Sequence, residues 1–93
     1  MRKEKTIYAN YELVVDEFGI PVAVVKDGVP LFRLYEHVIV SPDCYGYITP
    51  GITKPGGGRI VEIQRDTTDH WFGVLLYDNQ FGYVKEARLT KIK

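Results

Sequence analysis

Apolar residues in this chain do not return at helical spacing over any window of about 11 residues; they come in short β-branched and aromatic runs bounded by glycine, proline, aspartate and asparagine. The pattern predicts an all-β protein. The segment YELVVDEFGIPVAVVKDGVPLFRL reads as three strands, Tyr11 to Val15, Pro21 to Val25 and Pro30 to Leu34. Turn formers separate them, including Asp27 and Gly28, a favoured two-residue hairpin pair. Pro21 and Pro30 fall at strand starts, where a missing N–H costs least. Further strands follow at Val38 to Val40, Ile60 to Gln64, Trp71 to Tyr77, Gly82 to Val84 and Leu89 to Ile92, with KEAR making one tight helical turn before the last.

The strand Trp71 to Tyr77 is apolar on both faces: Trp71, Leu75 and Tyr77 on one, Phe72, Val74 and Leu76 on the other. A half-exposed strand would alternate with polar residues, so this one is expected to be central, its outer face covered by the amino-terminal strands. Ser41, Pro42 and Asp43 break the strand ending at Val40, and Tyr45 to Gly58 is a long segment punctuated by Pro50, Gly51, Pro55 and three glycines. A loop of that length in a small domain often carries function.

At 93 residues the chain is expected to be one domain, 1–93, with an amino-terminal β extension at 1–35 and the remaining strands at 36–93. A chain of this size buries roughly 60 to 65% of its unfolded surface, so the core is modest. Zero formal net charge lowers the expectation of sequence-blind nucleic-acid binding, although acidic residues dominate from Thr6 to Asp43 and Lys85, Arg88, Lys91 and Lys93 make the carboxyl end basic. The single cysteine, Cys44, excludes an internal disulfide and any zinc site built on several thiolates. No apolar run approaches the roughly 20 residues that span a bilayer, and the amino terminus lacks a signal-peptide apolar region. The expected location is cytoplasmic, with no membrane partner.

The glycines of ITKPGGGRIVEIQRD raise the question of a phosphate cradle. A P-loop needs Lys and then Ser or Thr after its last glycine, at the start of a helix, and the dinucleotide fingerprint likewise runs into a helix. Here Arg59 and a strand pattern follow. The expectation is instead that Gly56, Gly57 and Gly58 supply unusual backbone angles for a sharp turn into the strand, and that no cofactor is bound.

GRIVEI, preceded by HVIVSP and followed by HWFGVLLYDN and GYVKEARL, resembles the KOW motif and its surrounding SH3-like barrel, with Gly58, Ile60 and Ile63 at the motif's glycine and apolar positions. The resemblance covers roughly Glu36 to Ile92. It implies a partly open SH3-like barrel of about five strands at 36–93 and a non-catalytic adaptor that contacts RNA or a protein partner through loops and exposed strand edges. The first loop here is longer and not lysine-rich, and an acidic β segment precedes the barrel. Both departures favour a protein partner, with RNA or a ribonucleoprotein as the alternative.

Aromatic residues are the main contact candidates, because small barrels present them near loop ends for stacking on peptides or bases. Phe72, Tyr77 and Phe81 are expected to fill the core. Tyr45, Tyr47, Trp71 and Tyr83 are expected to meet a partner through the long loop 41–58 and its surroundings, with Lys54, Arg59 and Lys85 adding charge. Self-association through an uncovered strand edge is a further expectation. His37, Ser41, Asp43, Cys44 and His70 permit a Ser-His or Cys-His pair on paper, but nothing in their spacing brings nucleophile, base and orienting group together. They also fall short of a metal-ligand pattern, so neither catalysis nor a metal is expected.

Overall fold

A computed structural model of the chain describes residues 1–8, 10–65 and 72–92. These form nine strands: β1 (Arg2–Lys5), β2 (Tyr11–Val15), β3 (Pro21–Lys26), β4 (Val29–Arg33), β5 (His37–Val40), β6 (Gly56–Ile63), β7 (Phe72–Leu76), β8 (Phe81–Val84) and β9 (Leu89–Lys91), with a 3-10 turn at Glu86–Arg88 before β9. Two antiparallel sheets result, one ordered β1-β2-β3-β4 and one ordered β8-β7-β6-β5-β9. The protein is therefore all-β, as its periodicity predicts. Among the described residues no helix is long and apolar enough to cross a membrane.

Local chemistry explains the first sheet. Asp27 and Gly28 both take positive φ, 53° and 79°, as the mirror-image hairpin turn between β3 and β4 requires. Asp16 accepts hydrogen bonds from the amides of Phe18 and Ile20 and so closes the β2–β3 link. Strand β1, sequence RKEK, has no apolar alternation and was not expected; it forms because its backbone pairs along β2 from Arg2 opposite Val15 to Lys5 opposite Glu12. Its charges are of the kind that discourage a second chain from adding at the sheet edge.

In the second sheet β5, β6, β7 and β8 run as a meander, and β9 returns after the 3-10 turn to pair with β5. The ladders leave β8 and β9 as the two edges, so closure into the expected barrel is not shown. The three glycines correct the sequence reading more sharply. None has positive φ; they are the first residues of β6, paired with Val40, Ile39 and Val38, and the loop before them spans 41–55 rather than 41–58. Gly58 is required by close approach, since a Cβ there would lie 2.5 Å from the Leu75 carbonyl oxygen and 2.7 Å from the Leu76 Cα.

One core joins the sheets. Leu13, Val15, Val24 and Phe32 from the first meet Val38, Val40, Ile60, Ile63, Phe72, Val74, Leu76, Val84 and Leu89 from the second. Phe32 and Phe72 pack edge to face at 5.2 Å, a geometry that adds about 0.5–1.5 kcal/mol to simple burial. The crossover at 34–36 is pinned to β6, with the Tyr35 amide donating to the Ile60 carbonyl (2.7 Å) and the Ile60 amide to the Glu36 carbonyl (3.0 Å). A polar clasp adds to this: the Tyr11 hydroxyl donates to Glu86 at 2.8 Å, and the Lys26 ammonium lies 3.6 Å from the same carboxylate. Burial first, and then the bond to Glu86, raises the Tyr11 phenol above its ordinary value.

Candidate interaction surface

The first sheet packs on the inner side of β7, where Phe72, Val74 and Leu76 are buried, and leaves the outer side open. The expected cover over that outer face is therefore absent among the described residues. Register places Phe81, Leu75, Arg59 and His37 in one row across β8, β7, β6 and β5. Beside it runs Tyr83, Gly73 and Glu62, and on the other side Gly57, Ile39 and Thr90. Tyr77 is 62% exposed, Ile92 44%, Ile39 43%, Phe81 40% and Leu75 39%, so the open face is largely apolar.

Two glycines explain how these side chains come to lie flat. A Cβ at Gly57 would sit 3.0 Å from the Tyr77 ring, and one at Gly73 would meet the rings of Tyr83 and Phe81 at 3.2 and 3.4 Å. Each bare backbone position thus seats an aromatic ring, the arrangement by which an aromatic compensates a glycine in a strand. Phe81 and Tyr83 contact edge to face at 5.4 Å. The expectation that Tyr77 and Phe81 fill the core is overturned: both fall on the outward parity of the sheet, and only Phe72 is buried.

Polar groups are interleaved. The Tyr83 hydroxyl donates to the Glu62 carboxylate at 3.3 Å, and the His37 ring hydrogen-bonds the Tyr77 hydroxyl. The Arg59 guanidinium, in the middle of the row, has no hydrogen bond or ion pair among the described residues.

The loop 41–55 is a built structure. The Asp43 carboxylate accepts from the amides of Tyr45 and Tyr47, each at 2.9 Å, and those bonds, that of Tyr47 foremost, hold it below its ordinary value. Ile48, Thr49 and Ile52 are buried, and the Thr49 hydroxyl donates to the Tyr83 carbonyl at 2.7 Å. Gln80 accepts from the Thr53 amide at 2.8 Å. Gly51, at φ 94°, lies so close to β8 that a Cβ there would fall 2.2 Å from the Phe81 carbonyl oxygen. The loop therefore lies along β8, and its apolar residues are anchors.

The expected contact residues are divided by this architecture. Arg59 and Tyr83 share the sheet face; Tyr47 and Lys85 line a separate shallow cleft of about 120 Å3 with Asp43, Ile48 and Arg88. Tyr45, 91% exposed, stands at the loop tip, and Lys54 is exposed beside Gln80. Trp71 and His70 lie outside the described residues. Sequence reasoning misses Leu75, Tyr77, Phe81 and Ile39 as surface residues, although the two-sided apolar pattern of residues 71–77 is a signal for Leu75 and Tyr77. Of the groups considered for catalysis, His37 is held by Tyr77, Asp43 by loop amides, and Cys44 is exposed. Among the described residues no cluster of three or more histidine, cysteine or carboxylate side chains is placed to hold a metal ion.

Comparison of the chain with protein-family models, with curated proteins and with solved structures finds no match.

Proposed function

We propose that this chain is a non-catalytic interaction module of the SH3-like type that binds a protein partner through the outer face of its five-stranded sheet. The observation that carries the reading is the open face itself, where Tyr77, Phe81, Leu75 and Ile39 lie around Arg59, whose side chain has no partner among the described residues. Aromatic residues and arginine dominate binding energy at protein interfaces, and an apolar patch of this kind on a monomer commonly marks a contact site. Support for the SH3-like type comes from the four-strand meander whose fifth strand returns through a 3-10 turn to the first.

The test compares wild type with a Tyr77→Ser, Phe81→Ser double variant in affinity capture from the native lysate. Specific prey should be retained by wild type and lost by the variant, with circular dichroism showing both folded at the capture temperature; equal retention removes the face as the site. A second reading, RNA binding, draws on the rings of Tyr77, Phe81 and Tyr83 beside a cation, since sheet aromatics can stack on unpaired bases. Titration with oligouridine distinguishes the two: RNA binding weakens steeply with salt as counterions compete for phosphate, whereas the protein reading predicts no saturable RNA binding.

A further inference from the structure

The outer face of the four-stranded sheet carries a second surface of different chemistry. Lys3, Val14, Ala23 and Arg33 stand in register across β1, β2, β3 and β4, on the side opposite the buried Leu13, Val24 and Phe32. A cation therefore closes each end of an apolar row. Val14, Ala23 and Arg33 of this row, with Met1, Val22, Leu34 and Tyr35, line a hollow of about 360 Å3, and Lys3 stands at the end of the row beyond that lining. Neither the Lys3 ammonium nor the Arg33 guanidinium has a hydrogen bond or ion pair among the described residues.

Tyr35 marks this hollow independently. Its φ is 68°, a conformation that a bulky side chain rarely adopts, and it is held there by the crossover bond to Ile60. The ring remains 64% exposed at the wall of the hollow instead of joining the core.

We propose that this row is a docking site for an extended acidic segment of a partner protein, with carboxylates reaching Lys3 and Arg33 and apolar side chains between them resting on Val14, Ala23 and Tyr35. Charge complementarity selects the occupant: each end of the row carries a cation with no side-chain partner among the described residues, and the floor between them is apolar. Spacing selects its length. Strands lie about 4.8 Å apart, so three steps separate the cations by roughly 14 Å, which an extended chain rising about 3.4 Å per residue covers in about four residues. The site lies on the other sheet from the surface proposed above and stands or falls separately from it.

Fluorescence anisotropy on the full chain tests this with a labelled five-residue peptide bearing glutamate at both ends and leucine, phenylalanine and leucine between. Saturable binding is expected, weakened about tenfold or more, the equivalent of 1.4 kcal/mol, when lysine replaces both glutamates or when the protein carries Lys3→Glu and Arg33→Glu. The Tyr77→Ser, Phe81→Ser variant should bind this peptide as wild type does. Both cations are exposed, so the charge variant should keep its melting temperature; Lys3→Gln with Arg33→Gln provides a second variant should it not. Equal affinity for the two peptides, full affinity in the charge variants, or no binding at millimolar peptide would each overturn the proposal. So would association with neutral lipid vesicles with no response to the peptide.

Discussion

The two sheets of this protein share one core yet present opposite kinds of outer surface. On the five-stranded sheet, glycines at 57 and 73 seat the rings of Tyr77, Tyr83 and Phe81 around a single central arginine. On the four-stranded sheet, cations sit at the ends and apolar side chains in the middle. The inner faces must match each other and are uniformly apolar; the outer faces carry no such constraint. What distinguishes the sheets is therefore the side that does not hold the fold together.

The largest expected effect addresses the shared core. Phe72→Ala should cost about 3–5 kcal/mol, because it removes a fully buried ring and leaves a cavity against Phe32. Urea unfolding followed by circular dichroism and by tyrosine fluorescence should show a single earlier transition. Two separated transitions would mean that the sheets are independent, and the comparison would be one of two domains.

Glycines come next. Gly58→Ala should destabilise by about 1–3 kcal/mol, since its Cβ would strike the Leu76 backbone. Gly56→Ala, with open space around it and no positive φ, should be neutral or stabilising by up to about 1 kcal/mol. Similar losses at both positions in thermal melts would remove the close-approach explanation.

The clasp between the first sheet and the 3-10 turn is weaker. Tyr11→Phe should cost about 1 kcal/mol by loss of a partly exposed hydrogen bond to a carboxylate. Its pH signature has a definite sign. The folded phenol titrates above its ordinary 10.0, so the contribution is fully present below pH 10 and is lost as pH rises through the folded value. A wild-type stability profile as flat above pH 10 as that of Tyr11→Phe would contradict the clasp.

The smallest effect is local. Asp43→Ala should speed amide exchange at Tyr45 and Tyr47 severalfold with little change in melting temperature, and Asp43→Asn, which keeps an acceptor oxygen, should do so less. Acid should mimic the alanine variant. The folded carboxyl titrates below its ordinary 3.8, so the loop keeps these bonds above that value and loses them as pH falls through the lowered one. Exchange rates at Tyr45 and Tyr47 that do not respond to Asp43→Ala would show that the buried Ile48 and Ile52 alone order the loop tip.

Much of the strand framework was legible because it is written locally. Short β-branched and aromatic runs bounded by turn formers mark β2, β3 and β5, and the Asp27-Gly28 pair marks its own hairpin through the φ angles it tolerates. Strand β1 was not legible, since RKEK pairs by backbone alone and carries no alternation. The candidate site was only partly legible. Arg59 and Tyr83 are marked by residue type, whereas Tyr77 and Phe81 read as core because an aromatic in or beside a strand fits an inward position equally well.

By itself, the sequence determined the class of structure, the positions of most strands and the set of aromatic side chains, since all of these depend on neighbours within a few residues. Which face of β7 stays open, which rings lie on which glycines and which cations end in one row were decided by the tertiary structure alone. Those outcomes depend on register between strands far apart in the chain. Gly57 is the clearest case: nothing in GGGRIVEI says that its missing side chain makes room for a tyrosine twenty residues away.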